Sequence, residues 1–119
     1  MDGKIVYTNG KEEILKYGLT KIDDRAYSED KHVSGVRVAS AVLPSSVAWI
    51  GDYAFWLCSN MKSVDIPYTV TTIGKFAFAG AGLTNIMLHN SVKRIDDYAF
   101  YCCHLKDVYY SGSADEWKK

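Results

Sequence analysis

The residues with nucleophilic or metal-ligating chemistry in this chain are Cys58, Cys102, Cys103, His32, His89 and His104. Cys102-Cys103-His104 is the one run that gathers soft ligands, and a tetrahedral zinc site would recruit a second ligand pair at recognisable spacing. The sequence offers no such pair. A thiol nucleophile would need a base that is itself oriented by a third group, and the histidines stand at unrelated positions. The acid pairs Glu12-Glu13, Asp23-Asp24 and Asp96-Asp97 are sequence neighbours whose side chains diverge, so they read as solvated turns and polar faces. Gly80-Ala81-Gly82 lacks the lysine and the length of a phosphate-binding loop and reads as a tight turn. No catalytic residue, metal site or cofactor is assigned, and the chain is not expected to be an enzyme.

Composition removes further classes. Fourteen Lys plus Arg balance fourteen Asp plus Glu, so the formal net charge of zero points to neither nucleic acid nor anionic lipid as partner. No apolar run is long enough for membrane insertion. Met1-Asp2-Gly3-Lys4 does not open a secretion signal, so no signal peptide is expected within this chain. Three cysteines are an odd number and do not suggest a disulfide framework. With 119 residues, the chain is sized for one core.

The elements that position these residues follow from internal repetition. Val47-Ala-Trp-Ile50-Gly-Asp-Tyr-Ala54-Phe55 recurs from Val70 to Phe78 and from Val92 to Phe100, at intervals of 23 and then 22 residues. Each copy continues to a second apolar segment, at Met61–Pro67, Leu83–Leu88 and Leu105–Tyr110. The one-residue shortening falls in the loops after Phe78 and Phe100. A weaker copy precedes these, with Leu19, Ile22, Ala26 and Tyr27 in the first segment and Ala41 and Leu43 in the second.

Val64 and Ile66 are two apart, as are Ile86 and Leu88. Each pair therefore faces one side of an extended strand, with Asp65 and Met87 on the other. Strands near residues 63–66, 85–88 and 107–110 are expected side by side in a parallel sheet, about 4.8 Å apart. Alanine before phenylalanine fits a corner where a ring enters the core, so Phe55, Phe78 and Phe100 are expected buried in one column. Tyr53, Phe76 and Tyr98 share another repeat position and form a second column beside it. Cys58 and Cys103 occupy a small-residue position filled by Ala81 in the intervening copy, where a free thiol packs as a small hydrophobe.

The pattern Val-x-x-Ile-Gly-x-x-Ala-Phe-x-x-Cys-x-x-Leu-x-x-Val-x-Ile-Pro, nearly complete from Val47 to Pro67, resembles the BspA-like leucine-rich repeats found in surface proteins of oral and gut bacteria. The resemblance covers residues 43–112 well and residues 1–42 more loosely. It implies a mainly β chain with short helical turns: a right-handed parallel solenoid of about three clear repeats, a degenerate N-terminal repeat and a hairpin. The expected organisation is a single domain, 1–119, with a hairpin-like cap at 1–18, repeats over 19–112 and the start of a C-terminal capping helix at 113–119. Asn9-Gly10 between Tyr7 and Ile14 is independently a hairpin signal. Ser113-Ala-Asp-Glu116 is a capping-box pattern, with Trp117 placed to fold over the end of the core. The chain is expected to be a fragment of a longer protein.

The outward ladder positions of a solenoid form a continuous recognition surface. Here they are Ser63, Asp65, Asn85, Met87, Asp107 and Tyr109, with His89 beside them. An alternative surface is aromatic, comprising Trp49, Trp56 and Tyr101, with Trp56 expected to protrude. The function expected is a non-catalytic module that binds a protein or glycan, extracellular or at the cell surface by family resemblance. The alternative is a structural spacer or capping segment of a larger protein with no ligand of its own.

Overall fold

The structure, a computed structural model, describes residues 1–31 and 35–110. His32, the Ser113–Glu116 capping box and Trp117 lie outside the described residues. Among the described residues, ten strands run in chain order: β1 (Gly3–Tyr7), β2 (Glu12–Leu15), β3 (Lys21–Ile22), β4 (Val38–Val42), β5 (Trp49–Ile50), β6 (Ser63–Asp65), β7 (Thr72–Ile73), β8 (Asn85–Leu88), β9 (Arg94–Ile95) and β10 (Asp107–Tyr110). The one helical element among the described residues is a 3-10 turn at Glu29–Lys31, and the expected helical corners are hydrogen-bonded turns.

The coils stack as a parallel β-solenoid with three walls. The first is the ladder wall, where β4 pairs with β6 and β8 with β10, in parallel and in repeat register: Ala41 opposite Val64, and Met87 opposite Tyr109. The second is a four-stranded wall of two-residue strands in the order β3-β5-β7-β9, with Ile22, Ile50, Ile73 and Ile95 in one register row. The third is the corner that carries the Ala-Phe pair. There Tyr53, Phe55 and Leu57 donate their amides to Lys75, Ala77 and Ala79 of the next coil at 2.9, 2.7 and 2.8 Å.

That corner explains a backbone oddity. Tyr53, Phe76 and Tyr98 adopt φ of 59°, 56° and 61°, a left-handed conformation that bulky residues rarely take. The cost is of order 1–3 kcal/mol per residue. The flip coincides with amides pointing along the solenoid axis, as in Phe76 N to Asp97 O at 3.2 Å, and with rings that stack from coil to coil. Tyr53 and Phe76 make the axial amide bond, and stacking links the rings of Tyr53, Phe76 and Tyr98 through three coils; together these offset the local strain.

The core is the expected phenylalanine column with one addition. Tyr27 stacks on Phe55 at 5.4 Å, Phe55 on Phe78 at 5.3 Å and Phe78 on Phe100 at 5.5 Å, all nearly parallel. Phe55 and Phe78 are fully buried. Phe100 is only half-buried, against expectation: Phe78 stacks on one face, and no ring of the described residues covers the other. In the same coil Val108 is 51% exposed where its repeat equivalent Ile86 is 3% exposed.

Two further expectations are corrected. Strand β6 stops at Asp65 rather than residue 66, and Pro67, which has no amide to donate, follows immediately. Moreover, the ladder is not one sheet. The strands form separate sheets β2-β1-β4-β6 and β10-β8, with no hydrogen-bonded pairing between β6 and β8.

The acid pairs are not all mere solvated surface. The Asp24 carboxylate accepts the Asp52 amide of the next coil at 2.8 Å, and Asp52 in turn accepts the Lys75 amide at 2.8 Å. Gly51 and Gly74 stand where these coils touch. A Cβ on Gly51 would lie 2.5 Å from Asp24 Oδ1 and 2.7 Å from the Asp24 nitrogen, and one on Gly74 would meet the same atoms of Asp52 at 2.6 and 2.7 Å. In the third copy, Lys75 supplies no carboxylate at this junction, and Asp96 replaces the glycine.

Candidate functional site

Strand alternation delivers the ladder residues to solvent. Ser63, Asp65, Asn85, Met87, Asp107 and Tyr109 are all exposed, while Ile86 and Leu88 on the opposite side of β8, and Ile66 just after β6, are buried. His89 is half-buried at the end of β8. Among the described residues, Asp65 and Asp107 enter no ion pair.

The structure enlarges this face beyond what repetition alone reveals. The hairpin expected from Asn9-Gly10 forms, and β1 pairs antiparallel with both β2 and β4. Ile14 is therefore opposite Lys4, Lys4 opposite Val42, and Val42 opposite Asp65. This register row extends the outward face onto the hairpin, adding exposed apolar surface at Ile14 and Val42 to that of Met87 and Tyr109. Lys4 and Glu12 pair on it at 3.3 Å. Sequence reasoning missed these residues because the hairpin lies outside the repeat; only its turn signal was local.

The aromatic surface is also assembled, with a different distribution of exposure. Tyr53, Phe76 and Tyr98 stack at 5.0 and 5.1 Å, and the Arg25 guanidinium lies 4.3 Å from the Tyr53 ring centre. Trp56 does not protrude as expected. It is half-buried with its ring edge-on to Tyr53 at 5.8 Å. Tyr101, more than half exposed, packs edge-on against Tyr98 at 5.3 Å, and Trp49, 50% exposed, carries Lys21 over its ring at 5.4 Å. Most of these rings contact one another, so much of their area is spent on coil-to-coil stacking.

Cys58 and Cys103 occupy the repeat position expected of them, and all three cysteines are free thiols. Cys58 and Cys103 each donate Sγ–H to the carbonyl of the column ring one coil before, to Tyr27 O at 3.0 Å and Phe78 O at 2.8 Å. Burial, reinforced by Glu29, pushes the Cys58 thiol from 9.0 up to about 12. Burial also raises Cys103. A nucleophile or metal ligand needs the thiolate, so this environment works against both roles. Among the described residues, no three His, Cys, Asp or Glu side chains converge to hold a metal ion.

At the other end of the column, Glu13 of the hairpin accepts two phenols, from Tyr7 at 3.0 Å and Tyr27 at 3.1 Å. Burial first, then the Glu13 contact, raises Tyr7 from 10.0 to about 12. Burial and the Glu13 charge raise Tyr27 as well. The unfolded chain releases the Tyr7 and Tyr27 protons near pH 10, whereas the folded chain holds them, so their stabilisation is complete below pH 10 and declines as the pH rises towards 12. In an alkaline titration, Tyr7 and Tyr27 are expected to ionise together with loss of the β-sheet circular dichroism signal. Replacing either with Phe while absorbance at 295 nm is followed identifies their share. Ionisation of both near pH 10 in a fully folded chain contradicts this.

The family described as BspA type Leucine rich repeat region matches residues 20–119 in six copies. A leucine-rich repeat protein from Bacteroides capillosus is similar in structure, with a TM-score of 0.69 and 27% identity, covering 92% of this chain and 72% of that one. A leucine rich cell surface protein from Faecalibacterium prausnitzii shares the fold at a TM-score of 0.57 and 24% identity, with 96% of this chain matching 40% of that protein. No curated protein matches the chain. Among the described residues, no helix is long and apolar enough to cross a membrane. With its repeat signature, its stacked coils and a family match over residues 20–119, the chain belongs to the BspA-type leucine-rich repeat family.

Proposed function

We propose that this chain is a non-catalytic recognition module of a bacterial surface or secreted protein, binding a protein or glycan partner through its ladder face. The observation that carries the proposal is the outward register itself. Asp65, Met87 and Tyr109 stand exposed at one repeat position, and the hairpin continues their row through Val42, Lys4 and Ile14. Solenoids use such extended surfaces for recognition. The mixture of apolar, phenolic and carboxylate groups suits a partner with both apolar and hydrogen-bonding surface. Surface display is inferred from the family.

The test is a screen of the purified chain against glycans and host proteins, followed by substitution. Asp65→Ala, Met87→Ala and Tyr109→Ala are each expected to weaken the strongest binder by about 5- to 30-fold, the range of a contributing interface residue. Folding stability should stay within about 0.5 kcal/mol of the parent, since none of the three fills the core. A binder that ignores all three changes, yet is lost on Trp49→Ala or Trp56→Ala with folding intact, moves the site to the aromatic side. A screen without any binder favours the spacer reading.

A further inference from the structure

The junction between the coil ending in β6 and the coil ending in β8 is bonded on two walls and open on the third. On the short-strand wall, Gly74 N donates to Ile50 O at 2.8 Å and Thr71 N to Ala48 O at 2.8 Å. At the corner, Phe55 N donates to Ala77 O at 2.7 Å, and Gly82 N reaches Cys58 O at 3.2 Å just before the ladder wall begins. On the ladder wall itself, β6 and β8 lie side by side without any ladder pairing. The neighbouring junctions are closed at the same place, by Lys62 N to Ala39 O at 3.1 Å and by Lys106 N to Thr84 O at 2.6 Å.

Two independent features mark the same seam. Val64, an inward core position, is half-buried, whereas its register partner Ala41 and its repeat equivalent Ile86 are buried. The loop from Phe55 to Met61 also holds one residue more than the loops from Phe78 to Leu83 and from Phe100 to Leu105. The longer loop feeds β6 and the shorter one feeds β8, so the strands reach the wall along paths of unequal length.

We propose that this seam is a joint: the solenoid hinges on its two bonded walls, and the ladder wall moves as two plates, β2-β1-β4-β6 and β8-β10. Asp65 lies on one plate, and Met87 and Tyr109 on the other. The joint therefore sets the width of the outward face at its middle, whatever that face binds.

Strand geometry makes the proposal testable amide by amide. Main-chain groups of successive residues point to opposite neighbours, in step with the side chains. The Asp65 carbonyl accepts Leu43 N at 3.2 Å, so Ser63 and Asp65 address β4 and Val64 addresses the seam. Thr84 O accepts from Lys106, so Ile86 and Leu88 address β10, while Asn85 and Met87 address the seam.

The experiment is native-state amide hydrogen exchange by NMR on the full chain. The amides of Val64, Asn85 and Met87 are expected to exchange at least about 100-fold faster than those of Gly74, Phe55, Ile86 and Leu88, as for locally open rather than globally protected sites. Uniformly fast exchange across residues 85–88 is end fraying and overturns the proposal. Protection of Asn85 and Met87 equal to that of Gly74 means the ladder is closed in solution, and overturns it too.

Discussion

Replacing Phe78 by alanine is expected to lower folding stability by about 3–5 kcal/mol, the usual cost of a large-to-small change at a fully buried ring. Phe78 has no exposed surface, and it stacks between Phe55 at 5.3 Å and Phe100 at 5.5 Å with interplanar angles of 3° and 5°. The substitution removes apolar area, two ring contacts and the filling of one layer at once. The cavity has little means of collapsing, because Phe55 N to Ala77 O at 2.7 Å and Phe78 N to Ala99 O at 2.8 Å hold the coils at their spacing. A domain with ordinary stability of about 5–15 kcal/mol would lose a large part of it. Phe100→Ala should cost clearly less, because that ring is already half-buried in the native chain. Urea unfolding followed by circular dichroism checks both. Equal losses for the two variants, or a loss below about 1 kcal/mol for Phe78→Ala, would mean that the column is not the core.

The second large effect separates packing from contact within one strand segment. Ile66→Ala is expected to cost about 2–5 kcal/mol, since Ile66 is 1% exposed and belongs to the core cluster. Asp65→Ala, one residue earlier, is expected to change stability by no more than about 0.5 kcal/mol, because its side chain is exposed and enters no ion pair among the described residues. Leu88→Ala and Met87→Ala repeat the comparison one coil on, with Leu88 1% and Met87 47% exposed. Thermal and urea unfolding of the four variants decides the matter. Comparable losses at Asp65 and Ile66 would show that the ladder face carries fold stability and is not free for recognition.

The Asp23-Asp24 pair looks like a solvated turn in sequence, yet Asp24 holds the Asp52 amide of the next coil. The close coil approach there leaves no room for a Cβ at Gly51. The repeat signature therefore couples an acid in one coil to a glycine in the following one. Where Lys75 interrupts the acids, Asp96 interrupts the glycines. Glu13, the second residue of another acidic pair, joins the hairpin to the ring column by accepting both Tyr7 and Tyr27.

The sequence by itself determined which side chains face the core and which face solvent. Periodicities of 22 or 23 residues between coils and two along each strand are local properties, and they place Phe55, Phe78, Ile66 and Leu88 inside and Asp65, Met87 and Tyr109 outside. The same local logic located the hairpin turn at Asn9-Gly10 and the small-residue position shared by Cys58, Ala81 and Cys103. Only the tertiary structure decided which strands meet. That β1 pairs with β4, bringing Ile14 and Lys4 into the row of Asp65, depends on a register between segments more than thirty residues apart. That β6 does not pair with β8 is likewise visible only once the coils are assembled. Hydrogen-bond pairing responds to distances of a fraction of an ångström accumulated around a whole coil, and a pattern of apolar residues records direction but not distance.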